Sequence, residues 1–343
     1  MRKALNSARN QGSSKKALNS ARNQGSSKKA LITGIGGFAG SHLAQHLISQ
    51  KISVSGFVHP NHPSHNLEYL DIKAHLIKCD ILDKESIVRN IKNTSFDYIF
   101  HLAAFSSPQK SFENPKETLE NNIIGQLNIL ETLAKNKSKS KILIVGSSDE
   151  YGNTGENNSP IDESVQFNPS SPYAVSKIAQ DLLGRQFFLN QKLNVVRVRP
   201  FNHIGPMQTT AFVVPAFANQ IADLEKKGDG LIKVGNLNVY RDFTDVRDVV
   251  KAYLLAVEKG KVGDVYNIGS GKAYKIADIL DKLISFSTVK IKIKKDKKLF
   301  RKENMVKIIC DSSKFKKMTG WEPQIPIEKT LSDTIDYERS RLN

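Results

Sequence analysis

Cysteine is nearly absent from this chain: Cys79 and Cys310 are the two among 343 residues. Two thiols cannot build a disulfide framework, and no apolar signal segment leads the sequence, so a cytoplasmic, reducing location is expected. Long hydrophobic runs are missing too. No stretch approaches the roughly 18 apolar residues that a membrane-spanning helix needs, which argues against a membrane role. The histidines, His101 and His203 among them, show no H-x-x-x-H or cysteine-paired spacing, so no metal site is expected. Tryptophan occurs once, as Trp321, and is expected to anchor the C-terminal segment by burial.

What is present fits a folded protein of two lobes. Hydrophobic residues at 39% and charged residues at 25% exclude wholesale disorder. A net charge of +17 suggests nucleic acid until the charges are located. Residues 1–28 carry seven bases and no acid, and the run from Lys290 to Lys302 carries eight bases against Asp296. The rest of the chain is close to neutral, and neither basic run interleaves aromatics that could stack on bases. Nucleic acid is therefore not an expected partner, and a small anionic ligand near the second run fits better. The alternation from Lys290 to Lys298 predicts a half-buried edge strand, with Ile291 and Ile293 facing inward and lysines outward.

The segment KALNSARNQGSSK at 3–15 repeats identically at 16–28. A period of 13 matches no solenoid unit, and its polar composition cannot bury a face, so residues 1–28 are expected to be a disordered, duplicated basic segment outside the fold.

From Lys29 the pattern changes. The run Lys29–Thr33 reads as a buried strand entering a turn with Gly34, Gly37 and Gly40, followed by an amphipathic helix. Glycines at that spacing let backbone approach a pyrophosphate at a helix N-terminus, where unpaired N–H groups favour anions. Strand and helix patterns then alternate: strands at 53–58, 75–79, 98–102, 141–146 and 195–199, helices at 83–91, 119–133 and 173–188. Such a series implies a doubly wound parallel sheet of Rossmann type over residues 29–200, with ligands at the carboxyl ends of its strands. Residues 201–343 are expected to form mainly a smaller α/β lobe that binds substrate, with short strands at 232–234 and 265–267. At the end of the second strand stand Val58 and His59 rather than an acid. No carboxylate there repels a ribose 2′-phosphate, and His59 can donate to one, which favours NADP(H), with NAD(H) as the alternative. Asp80, after the third strand, is placed to meet adenine.

Tyr173 and Lys177 stand at i and i+4, on one face of the predicted helix. An ammonium beside a phenol favours the phenolate, so Lys177 is expected to lower the Tyr173 pKa toward working pH and make it a usable acid or base. Ser147, at the end of the preceding strand, supplies a hydroxyl to polarise a carbonyl.

These pieces together resemble the extended short-chain dehydrogenase/reductase family over residues 29–343. The resemblance is carried by TGIGGFAG (33–40), HLAAFSS (101–107), NNIIGQLNIL (121–130), VGSSDEYG (145–152), YAVSK (173–177), RPFNHIGP (199–206), NLNVYRDFTDVRDVVKAY (236–253) and YNIGSG (266–271). It implies an enzyme acting on a nucleotide-diphosphate sugar with a nicotinamide cofactor, and a homodimer built through two sheet-flanking helices. Within the family, the 199–250 region is most similar to the GDP-4-dehydro-6-deoxy-D-mannose reductases, which make GDP-D-rhamnose, and next to the GDP-mannose 4,6-dehydratases. The resemblance implies a cofactor along Gly34, Gly37, Phe38, Ala39, Gly40, Asp80, Ile81 and Leu102, Ala103, Ala104, with Tyr173, Lys177 and Pro200 at its nicotinamide half. Tyr173 would then protonate the sugar O4 while Ser147 hydrogen-bonds it. Dehydratases carry a Glu that takes the C5 proton where this chain has Asp149, one methylene shorter. Reductases can carry an acid there too, so Asp149 alone does not separate the two.

On the substrate side the expected contacts are Ser107, Ser148, Asn202, Val213, Arg241, Arg301 and Glu303, with Arg241 and Arg301 as candidates for bidentate pairing with the diphosphate. Two departures from the family pattern stand out: Phe105 where a polar residue is common, and Lys302 where Pro often follows the arginine.

Overall fold

The computed structural model describes residues 27–61, 65–92, 94–153, 160–300 and 307–342. Short runs rich in Ile, Val and Leu form strands that alternate with helices: β1 (Lys29–Thr33), α1 (Phe38–Ser49), β2 (Ser53–Val58), α2 (His65–Tyr69), β3 (His75–Lys78), α3 (Lys84–Ile91) and β4 (Tyr98–His101). Helices α4 (Pro108–Glu113) and α5 (Pro115–Leu119) lead through a π-helical turn (Glu120–Ile124) into α6 (Gly125–Lys135). Then come β5 (Lys141–Val145), a 3-10 turn (Ser148–Glu150), α7 (Pro172–Gln191) and β6 (Asn194–Pro200). Side-chain caps set two of the helix starts. Asp83 accepts from Ser86 N before α3, and Ser171 accepts from Ala174 N ahead of Pro172 in α7.

The remaining elements are β7 (Asn202–Ile204), α8 (Val213–Lys227), β8 (Gly230–Val234), β9 (Tyr240–Asp245), α9 (Val246–Lys259) and β10 (Val265–Ile268). They continue with β11 (Ala273–Lys275), α10 (Ile276–Ser285), β12 (Ile291–Lys295), β13 (Lys307–Ile308), α11 (Ser313–Thr319) and α12 (Ile327–Leu342).

Seven strands pair in parallel in the order β10-β6-β5-β4-β1-β2-β3. This is the doubly wound Rossmann-type sheet, and its strand order reverses between β1 and β4, where a crevice opens at the carboxyl ends. Both faces are covered. Leu43, Leu47, Val249, Tyr253 and Trp321 pack on one face, and Ile87, Ile129, Leu133 and Phe187 on the other. Each such side chain stabilises the fold by about 1.5–3 kcal/mol. A separate core, with Phe217, Ile221, Leu280, Leu283 and Leu331, sits in the smaller lobe. Among the described residues no helix is long and apolar enough to cross a membrane.

The structure departs from the sequence reading in four places. The predicted helix at 119–133 is interrupted by the π-helical turn, which draws Asn122 inward. Its amide accepts from Phe105 N (2.8 Å) and donates to Phe105 O (3.1 Å) and Ser176 Oγ (2.9 Å). Strand β10, expected in the smaller lobe, is the seventh strand of the large sheet, and α9 packs back against α1. Residues beyond 200 therefore build both bodies, because a strand of four residues carries no information about which sheet takes it. In β12 the register pairs Ile293 with Ile232 of β8, yet Ile293 is 45% exposed, so that strand is not half-buried as its alternation implied. Order also begins before Lys29: Lys28 Nζ reaches Glu258 (2.8 Å) and the Tyr98 hydroxyl (2.6 Å). The rest of the repeat, residues 1–26, lies outside the described residues. Trp321 is buried as expected, donating to Asp248 O at 3.0 Å and packing on Phe315.

Candidate active site

Strand β1 delivers the chain into its turn at Thr33. Gly34 has φ +71°, and a Cβ there would come within 2.9 Å of the Ala103 backbone. A Cβ on Gly40 would lie 2.2 Å from the Gly34 carbonyl oxygen, so α1 presses directly on the turn. The helix starts at Gly37 with no side-chain cap and no acid in its first turn. Its leading N–H groups are thus left uncapped by side chains, and the glycines let the turn, α1 and the Leu102–Ala104 segment pack backbone against backbone, an arrangement whose uncapped helix start suits an anionic group. Phe38 stacks on His203, ring centroids 5.8 Å apart and planes 3° from parallel. Across the crevice Leu102 N donates to Thr33 O (3.2 Å) and Ala103 N to Thr33 Oγ1 (3.2 Å), which fixes the Leu102–Ala104 segment. At the other end His59 Nε2 lies 3.6 Å from Asp80 Oδ2, with both side chains over a third exposed. Ile81 fills the space that Gly125 leaves on α6.

The Ser147, Tyr173 and Lys177 side chains converge at the carboxyl end of β5. The Ser147 hydroxyl lies near enough to the Tyr173 phenol to favour its ionised form. Ser147 Oγ also caps the 3-10 turn, accepting from Asp149 N at 3.1 Å. Lys177 Nζ donates to Val145 O (2.9 Å) and Gln180 Oε1 (2.8 Å) and lies 5.9 Å from the Tyr173 ring centroid. Burial pushes the Lys177 amine down to about 8, with the Glu150 charge opposing. The Tyr173 phenol is held well above its usual value, first by burial and then by the Asp149 charge, with the Ser147 hydroxyl opposing. The sequence reading had Lys177 lowering that phenol. In the structure Lys177 is not among the groups that shift the phenol: its Nζ is held on Val145 O and Gln180, and burial and Asp149 set the direction.

Behind this trio lies a buried network that the sequence did not reveal. Glu150 Oε1 accepts from Ser147 N at 2.7 Å, and it occupies the space a Gly146 side chain would take. Its other oxygen is 3.1 Å from Arg199 Nε without hydrogen-bond geometry. Asp181, one turn past Lys177, pairs with both Arg197 and Arg199. Arg199 also donates to the Tyr151 hydroxyl (2.9 Å), which donates to Asn267 (2.6 Å). Burial, then Asp181, push the Glu150 carboxyl up to about 8 against the pull of Arg199. Only the adjacency of Glu150 to Ser147 was visible in sequence. Its partners arrive from α7 and β6.

The expected substrate contacts are more scattered. Ser107 caps α4 through Lys110 N (3.3 Å), and Ser148 is buried in the 3-10 turn. Pro200 ends β6 opposite Ile268, and Asn202 Nδ2 reaches Asp242 O at 3.4 Å. Val213 opens α8, and Arg241 Nη1 donates to Tyr240 O on β9. Asp242, which could have paired with Arg241, instead accepts from Ser270 N, Gly271 N and Cys310 N and ties three segments together. Phe105 is 39% exposed. Arg301 and Glu303 lie outside the described residues.

Comparison with known proteins agrees with this geometry. The family model described as GDP-mannose 4,6 dehydratase matches residues 31–334. The chain is 31% identical to GDP-6-deoxy-D-mannose reductase of Pseudomonas aeruginosa, over 91% of this chain and 97% of that protein. Among solved structures it resembles RMD from Pseudomonas aeruginosa complexed with NADPH, with a TM-score of 0.81 at 30% identity, covering 92% of this chain and all of that one. A UDP-glucose 4-epimerase with UDP-glucose from Thermotoga maritima superposes with a TM-score of 0.83 at 29% identity and similar coverage.

Proposed function

Because this chain belongs to the GDP-mannose 4,6-dehydratase family, we propose that it reduces the C4 ketone of GDP-4-dehydro-6-deoxy-D-mannose with NADPH to give GDP-D-rhamnose. The observation that carries this reading is the 31% identity to GDP-6-deoxy-D-mannose reductase along 91% of this chain and 97% of that protein, and Tyr173, buried near Ser147 and Lys177, is placed to give the proton. NADPH, when bound, supplies the hydride to the ketone carbon. Gly34, Gly37, Phe38, Ala39 and Gly40 would hold its pyrophosphate, Asp80 and Ile81 its adenine, and His59 its 2′-phosphate. Leu102, Ala103 and Ala104 would line it beside the glycine turn, and Pro200 would flank its nicotinamide half.

Tyr173 gives its proton to O4 as negative charge develops there. Ser147 hydrogen-bonds the same oxygen and so pre-aligns acid and acceptor. Lys177, two of whose donors are fixed on Val145 and Gln180, would have its third free for the cofactor ribose, and its charge stabilises the phenolate left behind. The smaller lobe would close over the sugar nucleotide, with Ser107, Ser148, Asn202, Val213, Arg241, Arg301 and Glu303 as its expected contacts. A homodimer is supported by Val175, Leu182 and Leu189, spaced by seven along α7 and all 45–49% exposed.

Asp149 favours one second reading, a 4,6-dehydratase, because it stands beside Tyr173 where a C5 base would act. Net redox separates the two. Incubation with GDP-4-dehydro-6-deoxymannose and NADPH is expected to consume one NADPH per GDP-rhamnose formed, and Tyr173→Phe is expected to lower kcat at least 100-fold. Conversion of GDP-mannose to the keto sugar with no net NADPH change would make the dehydratase reading the right one.

A further inference from the structure

The two fixed partners of Lys177 differ in kind. Val145 O is a backbone carbonyl of β5, whereas Gln180 Oε1 sits on an amide that can turn end for end. What points that amide is a chain of buried side chains crossing the sheet. Gln180 Nε2 lies 3.4 Å from His101 Nε2, and His101 Nδ1 lies 2.9 Å from Thr33 Oγ1, which also accepts from Ala103 N beside the glycine-rich turn. Gln126 Nε2 holds the Gln180 backbone carbonyl at 2.7 Å.

Donor and acceptor roles along this chain can be assigned without ambiguity. An ammonium only donates, so the Gln180 oxygen must face Lys177 and its NH2 must face His101. The ring nitrogen it meets must then be bare, which places the imidazole proton on Nδ1, donating to Thr33. Burial, then the Lys177 charge, push His101 down to about 3, so the ring stays neutral at working pH, and the charged Lys177 selects this tautomer. A charged ring would present N–H on both sides and turn the Gln180 nitrogen onto the ammonium.

We propose that Gln180 is a positioning residue for Lys177, its amide oxygen holding the ammonium while His101 and Thr33 dictate which way that amide points. A neutral carbonyl holds the ammonium without neutralising it, so the positive charge remains available to Tyr173 and to the cofactor side. The groups facing Lys177 are then Glu150 from the turn after β5, His101 from β4 and Tyr173 on its own helix. The catalytic consequence rests on the role given to Lys177 above, while the electrostatic one does not.

The test therefore reads Lys177 directly. Protein carrying 13C at lysine Cε is titrated by NMR, with the Lys177 signal identified by its loss in Lys177→Met. Wild type is expected to titrate near pH 8. In Gln180→Glu a carboxylate replaces the carbonyl, and the midpoint should rise by about one pH unit or more. His101 can accommodate that change by moving its proton to Nε2. In Gln180→Met the acceptor is lost, and the midpoint should fall. Shifts of opposite sign support the proposal. Coincident midpoints, or shifts of the same sign, overturn it. A glutamine with a merely structural role would lower the melting temperature of both variants and leave the midpoint unmoved. Because no turnover is needed, a wild type inactive on the proposed substrate would sink the functional reading alone. If that reading holds, the alkaline limb of kcat/KM should move with the NMR midpoints.

Discussion

A carboxyl group sealed from water is costly to ionise, and Glu150 sits in that position with its charge only partly met by Arg199. Linkage gives the sign of its effect. In the unfolded chain Glu150 loses its proton near 4.5, whereas in the fold it holds it up to about 8. Between those values the unfolded state binds fewer protons, so wild-type stability declines as pH rises. Glu150→Gln keeps an oxygen for Ser147 N and has no proton to lose. Its melting temperature relative to wild type should therefore climb between pH 5 and pH 8, and melts at both pH values that differ by a constant gap would contradict this. Ser147, Tyr173 and Lys177 were legible in sequence because their relation is local: one helical turn and a strand end. Glu150, Gln180 and His101 were not, because each acquires its role from a partner some thirty to eighty residues away. A glutamine one turn beyond a lysine otherwise reads as another exposed polar residue.

At the scale of elements, the β1–α1 connection is closely packed, backbone on backbone. Gly40→Ala would drive a methyl group into the Gly34 carbonyl, so α1 would have to lift away from the turn. We expect a stability loss of about 1–3 kcal/mol and at least a tenfold weakening of NADPH affinity, read by nicotinamide fluorescence; unchanged affinity would mean that this turn does not carry the cofactor. The element periods themselves were readable, and β2 spans the predicted 53–58. Two things were not. The π-helical turn before α6 depends on Asn122 reaching Phe105 and Ser176, contacts that no periodicity encodes. The place of β10 depends on α9 folding back over α1, which a strand of four residues cannot announce.

For the whole molecule, the exposed stripe on α7 is the feature that a single chain leaves unexplained. Phe112 and Ile124, 62% and 43% exposed, add apolar surface on segments that pack against α7. We expect a dimer in solution by light scattering, converted to monomer by Leu182→Glu together with Leu189→Glu. A wild type that is already monomeric would contradict that assignment. The charge of +17 conveys little about function at this scale, since much of it lies in the repeat and in a lysine-rich edge strand. The central claim concerns where a hydride goes. The most direct test supplies NADPH deuterated at the transferable position of nicotinamide C4, together with GDP-4-dehydro-6-deoxymannose, and examines the product by mass spectrometry and NMR. Deuterium at C4 of GDP-rhamnose, one per NADPH consumed, is the predicted result. Label retained on the cofactor, while GDP-mannose loses water to give the keto sugar, would contradict it.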